Sequence, residues 1–157
     1  MGQAWSVRRH RGRAAAAALV LTAALAGCTQ PGGVTGHLSG AAAQASSAAA
    51  SAALALELYL DGESTATVAD ITLTDMVDSA GQAGASASAQ VVATNHERQL
   101  RADVSAAIGK VTDEIVASRA LVAGAAPRAG GDKLVADLRR RADELGTTAT
   151  ELEAAAR

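Results

Sequence analysis

Through the second half of the chain, apolar residues recur at steps of three and four, the spacing that lines one face of an α-helix. Leu100, Val104, Ile108, Val111, Ile115 and Val122 form one such stripe. Leu134, Leu138, Ala142, Leu145, Ala149 and Leu152 form another. Between them "GAAPRAGG" (124–131) supplies the glycines and proline that stop a helix, and Asp132 is placed to cap the next. Upstream, Leu73, Val77, Ala80, Gly84, Ala87 and Val91 step alternately by four and three, a coiled-coil seam with unusually small residues in its middle. A neighbouring helix can approach closely there. The same stretch, "SAGQAGASASAQ", is low in complexity, which allows a break between Gly81 and Gly84. At Thr94-Asn95-His96-Glu97 a capping box appears and the seam slips phase. The pattern there fits either a new helix or a stutter in a long one.

The stretch "LALELYLDGESTATVADITLTD" is ambiguous. Leu54, Leu56, Leu58 and Leu60 alternate, and Asp61-Gly62 is a favoured hairpin turn, so a β-hairpin is one reading. Helix is preferred. The run continues from "AAAQASSAAASAA", which has no β-branched residue, and Leu, Ala and Glu are good helix formers. Leucines at every second position then describe a helix buried on two sides. Beyond Gly62, Thr67 and Asp70 have capping-box spacing. These segments predict an all-α fold, an antiparallel bundle of three to four helices joined by short turns. It would occupy residues 41–157 as a single domain, with a core of Leu, Val, Ile and mostly Ala and ordinary stability.

The first 27 residues have a different character. Arg8, Arg9, Arg11 and Arg13 give a basic start, Ala14 to Leu25 runs apolar, and small residues precede Cys28. Basic, apolar, small is the order of a secretory signal. The apolar run is shorter than the ~20 residues a membrane span needs. Arg8-Arg9 has poor flanks for twin-arginine export, and the route, general secretory or twin-arginine, stays open. Residues 29–40, "TQPGGVTGHLSG", read as a flexible tether after Cys28, so that 28–40 separates signal from bundle.

Removing the signal changes the charge. Ten basic residues then face 16 acidic ones, a net charge of −6. Between Cys28 and Asn95 there are six acids (Glu57, Asp61, Glu63, Asp70, Asp75, Asp78) and no Lys or Arg. A negative domain lacks the electrostatic footprint of a nucleic-acid binder. It also stands off from an anionic membrane surface. The acid-only half around Glu57, Asp61 and Glu63 suits a cationic partner.

No constellation spells catalysis, and the chain is read as no enzyme. No Glu is followed three residues later by His, the spacing of bundle metal sites; His37 falls in the tether and His96 at a helix start. Neither metal nor cofactor is expected. Gly-x-Ser-x-Gly is absent, and "GQAG" lacks the lysine and preceding strand of a phosphate loop. The carboxylate pairs Asp75/Asp78, Asp113/Glu114 and Asp143/Glu144 fall on outer faces, where nothing drives their pKa values apart. Arg139-Arg140-Arg141, flanked by Asp137, Asp143 and Glu144, reads as a salt-bridged surface. Asp137 with Arg141 and Arg140 with Glu144 have i,i+4 spacing.

Leu25-Ala26-Gly27-Cys28 resembles a lipobox, the recognition sequence of bacterial lipoprotein signal peptides. The resemblance implies diacylation of the Cys28 thiol and cleavage before it, with Leu25, Ala26 and Gly27 read by the signal peptidase. A lone exported cysteine, unable to close an internal disulfide, fits that role. Two acyl chains also suffice for stable anchoring where one does not. With its alanine-rich body, the chain resembles small lipoproteins of high-GC Gram-positive bacteria. The resemblance implies residence on the outer face of the cell membrane, held by lipid, and carries no activity. The expected role is non-catalytic: scaffolding, or binding an envelope protein. The alternative is a small-ligand-binding or sensory domain with a pocket between helices. An enclosed apolar cavity would favour the ligand reader; a solid interior with exposed Leu or Val would favour the partner reader.

Overall fold

The structure of the protein, a computed structural model, describes residues 32–157. Four helices follow one another: α1 (Gly33–Leu60), α2 (Ala66–Ser88), α3 (Asn95–Val122) and α4 (Gly131–Ala155), with one 3₁₀ turn at Arg128–Gly130 before α4. Cross-helix contacts show that neighbours run antiparallel. Ser39 lies against Ala149, Ser46 against Ala142 and Leu60 against Gly131, so residue numbers fall along α4 as they rise along α1. Asp70 with Arg119 and Gly84 with Ile108 give the same sense for α2 and α3. The all-α antiparallel bundle expected from the periodicity is the fold. α1 packs on α4 and α2 and reaches across the diagonal to α3, whereas α2 and α4 stand at far corners.

The core follows from the alanines of α1. Ala41, Ala42, Ala45, Ala48, Ala49, Ala52 and Ala53 are all buried. The bulk comes from the helices around them, through Leu73, Ile108, Val111, Ile115, Leu121, Leu138 and Leu145. Between Ser39 and Leu56, α1 puts only methyl groups inside, which lets its neighbours come close while large side chains from opposite supply the bulk.

Several boundaries differ from those the sequence suggests. α1 starts at Gly33 rather than Ala41, so residues 33–40 are helix, not tether. Burial of Gly36, Leu38 and Ser39 explains the difference: packing overrides the poor helix propensity of three glycines. The chain enters α1 through Gly32, at φ 106°, where a Cβ would lie 2.7 Å from that of Ala156. Only glycine fits there. Leu54–Leu60 is helix rather than hairpin, but it is not buried on two sides: Leu56 is buried, Leu58 and Leu60 are half-buried and Leu54 is exposed. Asp61-Gly62 ends it, with Gly62 left-handed and the amides of Gly62 and Glu63 donating to the carbonyls of Tyr59 and Leu58. That is a Schellman motif, and Gly124 repeats it after α3.

α2 is capped by Thr65, whose hydroxyl accepts from the Val68 amide, two residues before the expected box. It runs unbroken through Gly81 and Gly84. Gly84 faces the Ile108 methyl and so serves packing rather than a break. α2 stops at Ser88, leaving Val91 90% exposed instead of in the seam. α2 and α3 are therefore separate helices. The Thr94–Glu97 capping box forms in full: the Thr94 hydroxyl accepts from the Glu97 amide while Oε2 of Glu97 accepts from Thr94 and Ala93. Asp132 sits in the first turn of α4 and is not its cap, which is Gly130.

Candidate functional site

The lipobox residues Leu25, Ala26 and Gly27, together with Cys28, lie outside the described residues. What can be built from geometry lies on the bundle itself, at the end where α1 finishes and α4 begins.

On the α4 side of α1 the surface is closed along the first half of the helix and opens at its far end. The Ser39 and Ser46 hydroxyls donate to the backbone carbonyls of Ala149 (2.8 Å) and Ala142 (2.7 Å). Side chains this small leave the helix backbones within direct reach of each other, the close approach that small-residue faces permit. A Cβ on Gly146 would lie 3.3 Å from the Ser46 hydroxyl, and one on Gly131 would strike Leu60. Glu57 then pairs with Arg139 across the same seam. Below that pair, Glu57, Leu60, Asp61, Asp132, Val135, Ala136 and Arg139 line an open cleft of about 240 Å³. Arg128 lies 4.8 Å above the Tyr59 ring and donates to the carbonyls of Tyr59 and Leu60, so a cation closes the negative end of α1.

The arginine triplet is paired on every member. Arg139 meets Glu57, Arg140 meets Asp137 and Glu144, and Arg141 meets Glu114 and Glu144. Of the two expected i,i+4 pairs, Arg140–Glu144 forms. Asp137 accepts from Lys133 and Arg140 instead, because Arg141 turns across to Glu114 on α3. The Lys133 and Arg140 hydrogen bonds hold the Asp137 carboxyl below its ordinary range. Arg140, and secondarily Arg141, does the same for Glu144, and in return Asp137 and Glu144 raise the Arg140 guanidinium. The amides of the capping box, Thr94 foremost, lower Glu97.

The acid-only half therefore finds part of its cationic complement within the chain: Glu57 pairs with Arg139 and Asp70 with Arg119 (3.0 Å). Asp61, Glu63, Asp75 and Asp78 form no ion pair among the described residues. The three carboxylate pairs noted above are mostly exposed. Only Glu114 is half-buried, with one oxygen on Arg141. His37 lies in α1 and His96 in the first turn of α3. No three metal-ligating side chains gather among the described residues.

On the α2 side of α1 the surface is open. Ser51, Leu54, Ala55 and Leu58 of α1 face Ser64, Val68, Ala69 and Thr72 across a groove of about 220 Å³ with mostly apolar walls. Leu54 is 54% exposed, Val68 56% and the neighbouring Ile71 58%. Sequence reasoning placed Leu54 inside and passed over Val68 and Ile71. The available signal was that both lie off the Leu73-Val77-Ala80 stripe. No described helix is long and apolar enough to cross a membrane. Comparison of the chain with protein-family models, with curated proteins and with solved structures returns no match.

Proposed function

We propose that this chain is a membrane-anchored, non-catalytic extracytoplasmic lipoprotein that presents its helical bundle to an envelope protein partner. The observation that carries the reading is the exposed Leu54–Val68–Ile71 surface beside a core of buried Leu, Ile, Val and Ala. Apolar groups left in water beside polar neighbours are the usual mark of a surface that another protein covers. The groove is open and smaller than the ~300–1,000 Å³ pockets that enclose small ligands, which favours the partner reader over the ligand reader. Four residues lie between Cys28 and the first residue of α1. A lipid on Cys28 would keep the Gly33 end of the bundle at the bilayer and turn the groove end outward.

Two experiments test this. Cys28→Ser should abolish labelling by radioactive fatty acid and release the protein into the medium; continued membrane attachment of the variant refutes the anchor. A photo-crosslinking residue at position 54 in intact cells should trap a discrete protein adduct, and the same group at position 116 on α3 should not. Adducts of equal yield at both positions refute a dedicated partner surface.

A further inference from the structure

We propose that the α1–α2 groove docks a basic amphipathic helix, its leucine-like side chains seated between Leu54, Leu58 and Val68 and its lysines or arginines over the surrounding carboxylates. The inference rests on the partner-binding reading and names the chemistry of the partner.

The shape comes first. Two antiparallel helices flank the groove, and its floor is small: Ser51 and Ala55 from α1, Ser64 from the turn before α2 and Ala69 from α2. Small residues between two raised aliphatic walls leave hollows that accept side chains from a third helix laid along them, read as anchors at i, i+3 and i+4. The walls are apolar and wet, with Leu54 and Val68 each more than half exposed.

Charge then selects the occupant. From Gly33 to Asn95 the chain has no Lys or Arg, so nothing on α1 or α2 can neutralise an acid locally. Glu57 and Asp70 point away, into pairs with α4 and α3. The carboxylates left are those around the groove. Asp61 is three residues from Leu58, Glu63 adjoins Ser64, and Asp75 lies three residues from Thr72 and seven from Val68 on one helical face. Asp78 extends that row from Ile71 and Asp75. All four are exposed. A second copy of this chain would bring the same four acids against themselves, a like-charge juxtaposition that suppresses association. An acidic or neutral helix gains nothing from the rim. A helix with a basic margin fits both the hollows and the field.

The test uses the purified full chain on a biosensor surface and a synthetic leucine–lysine peptide of ~18 residues, about five turns, with leucines at i, i+3, i+4 and i+7. Two control peptides accompany it, a scrambled one of the same composition and one with every lysine replaced by glutamate. The amphipathic basic peptide should bind in the micromolar range and at least about tenfold more tightly than either control. Leu54→Ser with Val68→Ser, which leaves the charge unchanged, should weaken it about tenfold or more, while circular dichroism shows an intact bundle. Asp75→Asn with Asp78→Asn should weaken it less and flatten its salt dependence. Equal binding by the double-serine variant means a diffuse charge effect and overturns the proposal. So does equal binding of the glutamate peptide, or no binding at all. Sedimentation showing a dimer that the double-serine variant dissolves identifies a second copy as the occupant and likewise overturns it. If the peptide fails while crosslinking at position 54 still traps an adduct, this inference falls and the partner reading stands.

Discussion

The α4 flank of α1 is shut along the first half of the helix, whereas the α2 flank gapes along the second half, where a cleft also opens toward α4. Toward α4, Ser39 and Ser46 face Ala149, Ala142 and Gly146, and the backbones come near enough for hydroxyls to reach carbonyls. Toward the start of α2, Leu54 and Leu58 face Val68, and branched side chains wedge the surface open above Ala55 and Ala69. Where Ser, Ala and Gly meet, the helices close; where Leu and Val meet at the start of α2, the surface stays open. The closed flank gains packing and hydrogen bonds. The open flank keeps apolar surface in water, which a monomer has no structural reason to retain.

Substitutions can sharpen or break this contrast. The largest effect is expected from Leu56→Ala, which empties a fully buried site beneath the groove end and should cost about 2–5 kcal/mol in denaturant unfolding. Next comes Ala49→Leu, which forces a large side chain into the fully buried alanine face and should cost about 1–3 kcal/mol through overpacking. If Ala49→Leu is neutral, size does not set helix spacing here and the contrast fails.

A smaller effect is expected from acid. Asp137, Glu144 and Glu97 have carboxyls lowered from ordinary values near 3.8, 4.5 and 4.5. Because the folded value lies below the unfolded one, each favours the folded state above the ordinary range and loses that contribution as pH falls through the lowered value. Unfolding followed from neutral pH downward should thus be flat until roughly pH 4.5 and decline below it, modestly, since all three groups are exposed. The smallest change belongs to the open flank. Leu54→Ser and Val68→Ser should each shift stability by no more than ~0.5 kcal/mol, as exposed positions do. A loss comparable to that of Leu56→Ala would mean that the groove residues serve the fold itself.

The readability of these features follows their range along the chain. The α3 stripe from Leu100 to Val122 is legible because large residues repeat at one period, and the Thr94–Glu97 box because both partners sit within one turn. The start of α1 is not, since its glycines signal a loop and the burial that overrides them comes from α4, more than a hundred residues away. The unbroken α2 hides for the same reason: Gly84 has its explanation on α3. Glu57–Arg139 and Asp70–Arg119 are pairings across the fold that no local pattern announces. The groove was half visible. Its leucines stood out, but one wall belongs to α1 and the other to α2, and only folding shows that the two do not cover each other.

α1 and α3 each touch the other three helices, and α1 does so largely through its alanine face. Removing any neighbour uncovers part of its alanine face, while the opposite face, at Ala43, Gln44, Ser47 and Ala50, stays in water. The amide protons of the alanine face can swap with deuterium only when the whole domain opens, and a protease finds the segment all at once or not at all. That makes the bundle a single cooperative block with nothing partly unravelled to trim.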